Sequence, residues 1–434
     1  MASRLLRTLR PGILRPSGGS LRALSQTQLI NPTNKTQTPM KTKDQIIEAL
    51  VAALEIPPSA YDKAHDRYKD LGDWFCEGSL KANKPRIYAQ GSFRLGTVIR
   101  PLHDGESYDL DVGCRLEAGI SKHTHTQENL KTLVGDELEA YRQARQIKKE
   151  IEEKHRCWCL EYSDELRFSE DIVPSIPEEM TKQASLAETM VKHGLARGLA
   201  ENVSHHSGNI TDNRQANYRY IDPDWRISNS EGYAKWFESR MEIATGLVEK
   251  VAMMAKQAKV EKLPAWKWKT PLQKAIQLLK RHRDSMFAKN PDSKPISIII
   301  TTLAAAAYRG EDNTTSALER ILADMDRYIL PTIPRVPNPV NPNEDFADKW
   351  HEPKYAHLNL EGNFHGWLKQ ARADFQNTEK LNTEELIQKF TVQKFGLRIP
   401  QDEIAKILPL LSSKPADYQN IQIITEKPAR PWCM

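Results

Sequence analysis

Ile46, Ile47, Leu50, Val51 and Leu54 recur at the three- and four-residue spacing of a buried helical stripe. That pattern predicts helix from 44 to 82, interrupted near Ile56-Pro57-Pro58. A short apolar run from Arg86 to Ala89 then predicts a strand ending at a Gly-Ser turn. The period changes to two at Tyr108-Asp109-Leu110-Asp111-Val112, so a strand over 108–116 turns Leu110 and Val112 into a core. Asp109 and Asp111 leave its other face side by side. Further strands are predicted over 157–162 and 165–173, the latter ended by Pro174. A long charged helix covers 127–153, another helix covers 178–200, and 202–224 is a polar loop. From Glu231 the pattern is helical, over 231–258, 270–287, 294–309 and 314–328. The prolines at 331, 334, 337, 339 and 342 exclude helix and central strand. Helices return at 361–376, 382–394 and 401–407. The expected class is α+β, with a mixed sheet in residues 44–230, a helical domain in 231–410, and a ligand cleft between them.

Composition is that of an ordinary globular chain: 39% hydrophobic and 27% charged over 434 residues. No apolar run reaches the length of a membrane helix. The net charge of +5 misleads, because eight of the 62 basic residues lie in 1–43, which holds no acid. The remainder carries 54 basic against 57 acidic residues, which argues against a broad nucleic-acid surface. The leader is rich in Arg, Ser and Thr, as an organellar transit peptide is. Met40 precedes the first helical pattern, and the leader is read as a disordered or spurious extension, with 411–434 as a tail. The five cysteines make no disulfide framework, and Cys157-Trp158-Cys159 has no matching pair to complete a zinc site. His205-His206 falls in a polar stretch and is read as surface.

The chemistry concentrates in Gln90-Gly91-Ser92 and in the Asp109/Asp111 pair. Small residues at a helix start expose backbone N–H groups to a phosphate. Two carboxylates held close repel each other unless a cation lies between them, and Mg²⁺ takes oxygen ligands of this sort together with substrate phosphates. Glu170-Asp171-Ile172-Val173-Pro174 offers a further carboxylate, Asp171 or, on the opposite side, the competing Glu170. Arg94 and Arg100, close to the Gly-Ser turn, either touch phosphate or pair with nearby acids.

The order Gly91-Ser92, Asp109-x-Asp111, Asp171 resembles the nucleotidyltransferase superfamily with a polymerase-β-like palm. Trp225 to Ser230 with Trp236-Phe237, Leu279 to Asp284, Pro295 to Ile298 and Asn338-Pro339-Val340 narrow the resemblance to the bacterial cGAS/DncV-like nucleotidyltransferases. The resemblance spans roughly 44 to 400 and implies a palm followed by a helical C-terminal domain. It implies an enzyme that joins nucleoside triphosphates into a cyclic di- or trinucleotide signal for antiviral defence, releasing pyrophosphate. Two Mg²⁺ ions, or Mn²⁺, would sit on Asp109, Asp111 and Asp171. Gln90, Gly91, Ser92, Lys280 and Ser297 would bind nucleotide, with Arg283 one turn after Lys280 on the same helix face. The implied partners are NTP substrates and a downstream effector that senses the product, in the cytoplasm and without a membrane. The alternatives are a linear 2-5A or poly(A)-type polymerase and a catalytically silent nucleotide sensor.

Overall fold

The computed structural model describes residues 42–103, 105–163, 167–245 and 268–407. The leader, the expected helical residues 246–258, the start of the strand expected from 165, and the tail lie outside them. Helices α1 (Thr42–Leu54) and α2 (Pro58–Glu77) open the described chain, and Pro58 at the first helical position needs no N–H partner. There follow β1 (Pro85–Ala89), the short α3 (Gly91–Leu95), β2 (Tyr108–Leu116) and α4 (Gln127–Ala144). Next come β3 (Glu152–Glu153), β4 (Trp158–Tyr162), β5 (Phe168–Pro177), α5 (Met180–Lys192) and α6 (Arg197–Ser204). Strands β6 (Gly208–Ile210) and β7 (Arg226–Ser228) lead into α7 (Ser230–Thr245).

The sheet is mixed, in the order β1-β2-β5-β4-β3, with β6 joined to β5 and β7 to β6. β2 and β5 run parallel at its centre, joined by a crossover through α4 and the β3–β4 hairpin. Leu110 and Val112 are fully buried, as their alternation with Asp109 and Asp111 requires.

Four details depart from the periodicity. The charged helix stops at Ala144, because Gln146 takes a left-handed φ of 54° and the chain turns into the β3–β4 hairpin. The helix expected over 178–200 is two helices, parted at Gly194, whose φ of 91° suits glycine. The stretch read as loop contains β6. Pro174 does not end its strand. β4 pairs as far as Ile172 and β6 begins at Ser175, so Pro174 falls in a gap where no N–H is required on that side.

The helical layer comprises α8 (Pro271–Met286), α9 (Ser297–Ala307) and α10 (Thr314–Asp324). A small hairpin, β8 (Pro337–Asn338) with β9 (Asn341–Asp345), forms within the proline-rich stretch. Then follow α11 (Leu360–Asn377), α12 (Glu384–Phe395) and α13 (Gln401–Ile407).

The described residues belong to one compact unit with two hydrophobic cores. One lies between the sheet and helices α2 and α4. The other unites α5 to α13 with α1, whose buried stripe packs on α8 and α10. The helical core thus draws on residues from both sides of position 230. No helix among the described residues is long and apolar enough to cross a membrane.

Candidate active site

Sheet register does most of the assembly. In the parallel β2–β5 pair, Asp111 stands opposite Asp171 and Asp109 opposite Ser169. Since Asp109 and Asp111 share a face, three carboxylates meet at one patch of the sheet. Glu170 lies on the opposite face, fully buried near Tyr162 and Arg67, and burial pushes its carboxyl up to about 7.

Gly91 closes the patch from the side. Its φ of 59° is left-handed, and a Cβ there would collide with Oδ2 of Asp111. Only glycine lets the turn approach the carboxylate this closely. Gly91 itself starts α3, whose first N–H groups have no partner within the helix. Gln90 anchors the turn, donating its N–H to the Asp111 carbonyl at 2.8 Å. Its side-chain amide lies over Gly113, where a Cβ would come within 2.7 Å of it. Gln90 thus sits against the sheet and outside the cleft lining.

A cleft of about 720 Å³ opens over these residues, lined by Gly91, Ser92, Asp109, Asp111 and Asp171 on one side and by Lys280, Arg283 and Ser297 on the other. Helix α8 supplies the far wall and is stitched to the chain that follows α3. Gln273 donates to the carbonyl of Leu95 at 2.9 Å, Gln277 to Val98 at 2.7 Å, and Lys280 to Thr97 at 2.9 Å. All three side chains are buried, so the donated bonds take up backbone carbonyls that water cannot reach.

Arg283 has a different task. It donates to the Pro295 carbonyl and to Oγ of Ser297, both at 2.9 Å, and it also pairs with Asp284. The guanidinium therefore ties α8 to the start of α9 and is buried in doing so. Ser297 is the first residue of α9 and Ile296 its N-cap, so the hydroxyl is held by Arg283 at the cleft wall instead of capping the helix. Arg94 pairs with Glu238 at 2.5 Å, and Arg100 donates to the Glu55 carbonyl.

The electrostatics follow from this crowding. Burial, then Asp171 and Asp109, push Asp111 up to about 6. Asp109 is raised by the low-dielectric walls first and by Asp171 second, although the residue as a whole stays in contact with solvent. Burial and then Arg283 bring Lys280 down to about 8, against the pull of Asp284, Asp111 and Asp109. Such a set suits a hard divalent cation, which would relieve the repulsion that raises two of the carboxylates.

A protein cation already stands at the third carboxylate. Lys154 Nζ lies 2.8 and 3.2 Å from the two oxygens of Asp171. Its position is fixed by the turn between β3 and β4, where Lys154 N–H donates to Cys157 O at 3.0 Å and buried Lys131 donates to the carbonyls of Lys154 and His155. The sequence reading missed Lys154, because a lysine 17 residues before an aspartate carries no helical or strand spacing. The only available signal was the β3–β4 hairpin, which brings Cys159 opposite Asp171. Cys157 and Cys159 are free thiols there, and burial raises both, Cys157 to about 12. They are protonated at neutral pH.

Residues 85–170, which include the Gly-Ser turn and both β2 aspartates, match the family model of the cyclic GMP-AMP synthase DncV-like nucleotidyltransferase domain. The chain is 27% identical over 328 residues to a c-di-GMP synthase of Roseivirga ehrenbergii, covering 74% of this chain and 75% of that protein. It is 26% identical to the cyclic dinucleotide synthase CdnG of Bradyrhizobium diazoefficiens, covering 71% and 70%. The solved structure of Bradyrhizobium diazoefficiens CdnG in complex with GTP superposes with a TM-score of 0.57 at 20% identity, over 86% of this chain and all of that one.

Proposed function

We propose, for a chain that carries a DncV-like nucleotidyltransferase domain, that it joins two nucleoside triphosphates into a cyclic dinucleotide. The observation that supports this reading most directly is the register of Asp111 against Asp171, with Asp109 on the same face, at the mouth of the Gly91-Ser92 turn. The relatives named as cyclic dinucleotide synthases favour cyclisation over linear growth.

The reaction is attack by a ribose hydroxyl oxygen on an α-phosphorus. A new P–O bond forms as the hydroxyl releases its proton to solvent, the α–β phosphoanhydride breaks, and pyrophosphate leaves. Mg²⁺ or Mn²⁺, held by Asp109 and Asp111 with Asp171 on the side of the attacking hydroxyl, would supply Lewis-acid activation and charge neutralisation. The N–H groups that open α3 and the Ser92 hydroxyl bind the leaving phosphates. Lys280 faces them as an ammonium below pH 8. Ser297, oriented by Arg283, offers its hydroxyl to a ribose or phosphate oxygen. Closing the ring requires the linear intermediate to turn round and present its second hydroxyl to the same carboxylates. The product acts as a signal, read by an effector in antiviral defence.

Purified protein incubated with labelled NTPs and Mg²⁺ or Mn²⁺ tests the reading. A small product resistant to phosphatase and with the mass of a cyclic dinucleotide is expected. Growing ladders would identify a linear polymerase instead, and absence of any product a nucleotide sensor.

A further inference from the structure

Behind the active cleft, across the backbone from Arg100 to His103, lies a second cavity of about 960 Å³. One wall is apolar, built from Ala52 on α1 and from Leu397 and Ile399 in the link between α12 and α13. The facing surface is cationic. Arg281, next to Lys280 on α8, points into this cavity while Lys280 lines the cleft. Arg281 is only 1% exposed, yet among the described residues it has no ion pair with a carboxylate and its Nε–H finds no acceptor. Its Nη2 donates to the carbonyls of Arg100 and Pro101, at 2.5 and 3.1 Å. Arg167, which donates one N–H to the Gly105 carbonyl at 2.9 Å, and Arg398 add exposed guanidinium groups, and neither pairs with a described carboxylate.

The acids in the lining are already engaged. Glu106 accepts the N–H groups of Leu102 at 3.0 Å and His103 at 3.4 Å and acts on Arg281 only as a partial counter-charge without a hydrogen bond, and Glu403 pairs with Lys406 at 2.5 Å. A buried guanidinium with an open donor is costly in the absence of an acceptor. Arg281, Arg167 and Arg398, with Arg100 as a fourth arginine in the lining, suit an anion that accepts forked hydrogen bonds, as phosphate does. The apolar wall suits a flat ring, and the volume accommodates a nucleotide.

We propose that this cavity is a second, non-catalytic binding site for a nucleotide-type phosphate ester, gripped by Arg281, Arg167 and Arg398. The site goes beyond the proposed reaction and does not depend on it. The ligand would also touch the backbone that lines the cleft, because Arg281 holds the carbonyls of Arg100 and Pro101. Two sources share this chemistry, the triphosphate substrate and the cyclic product.

Photo-crosslinking in EDTA with 8-azido-GTP and with an 8-azido derivative of cyclic di-GMP separates them. Peptide mapping is expected to find label in the peptide carrying residues 396–403, competed by the unlabelled nucleotide. The charge reversal Arg167→Glu with Arg398→Glu should reduce this label at least tenfold while leaving the melting temperature unchanged, because both side chains are exposed. If the reversal unfolds the protein, Arg398→Gln alone should still reduce the label severalfold. Asp109→Asn with Asp111→Asn should leave it in place, which keeps the result independent of the active-site reading. Labelling by the GTP probe alone assigns substrate, and labelling by the cyclic probe alone assigns product. Label confined to cleft peptides with both probes, or label at 396–403 undiminished by charge reversal, would overturn the proposal.

Discussion

Asp111 holds its proton up to about pH 6, against an ordinary value of 3.8, because it is buried beside two other carboxylates. The unfolded chain loses that proton near pH 4. Between pH 4 and 6 the unfolded state therefore ionises while the native state does not, and native stability falls as pH rises. Above pH 6 the whole cost is present. Asp111→Asn should stabilise the metal-free protein by on the order of 1 to 3 kcal/mol at pH 8, with the gain gone near pH 4. Urea unfolding in EDTA at the two pH values checks this, and an equal difference at both would sink it. The same variant should make no product. Lys154 makes the complementary case, since its ammonium occupies Asp171 in the absence of metal. Lys154→Met should tighten Mn²⁺ binding without nucleotide by roughly twofold to fivefold, the worth of a partly exposed ion pair. Weaker Mn²⁺ binding in a calorimetric titration would mean that Lys154 supports the metal site.

Helix α8 shows how one element serves two purposes. Gln273 caps its own helix, accepting the Thr270 N–H at 2.8 Å, and also donates to Leu95. Gln277 donates to Val98, but its own Oε1 has no partner among the described residues. Gln273→Leu should therefore cost about 2–4 kcal/mol of stability and Gln277→Leu only about 1–2, since the second change also removes an unsatisfied acceptor. Equal losses in chemical denaturation would refute that accounting. Lys280, one turn on, points at the cleft. Lys280→Ala should weaken NTP binding by roughly 1.5–3 kcal/mol. In the unaltered protein the advantage should fade as pH rises through about 8, where the buried ammonium loses its proton. A titration series from pH 7 to 9.5 measures both effects, and pH-independent affinity would return Lys280 to a structural role.

At the scale of the whole molecule, Glu231 joins the sheet to the helical core. It sits at the start of α7, buried, and binds Arg86 of β1 at 2.5 Å, Arg115 of β2 at 3.2 Å and His206 at 3.5 Å. Burial alone would raise its carboxyl, but the hydrogen bonds from His206 and Arg86 and the charge of Arg115 outweigh it and hold Glu231 at about 2. The contribution is therefore present above pH 4.5 and is lost as pH falls from there towards 2. Glu231→Gln should cost about 3 kcal/mol at pH 7, because half-buried Arg86 and buried Arg115 lose a shared carboxylate, and only Arg115 has a replacement, in Glu117. The penalty should shrink in acid. Calorimetry checks the size, and a variant that melts like the parent at pH 7 would show that the two layers hold together without the cluster.

The elements whose signal lies in neighbouring residues were legible from the chain alone. The α1 stripe, the alternation that buries Leu110 and Val112 while turning Asp109 and Asp111 to the other face, and the bounds of β2 and α13 all follow from side-chain period, which is a property of consecutive positions. So was the pairing of a Gly-Ser turn with an Asp-x-Asp strand, because both halves lie within one short stretch. What only the tertiary structure decided depends on partners distant in sequence. Asp171 stands abreast of Asp111 through parallel strand register, Lys154 reaches Asp171 across a hairpin, and Arg283 is consumed in holding Ser297. Gln90 reads like a cleft residue and instead packs over Gly113. Pro174 reads like a strand end and instead occupies a gap between two neighbours. Period sets which face a residue takes, but the partner it meets there is set by how the sheet and helices pack, and no local spacing encodes that.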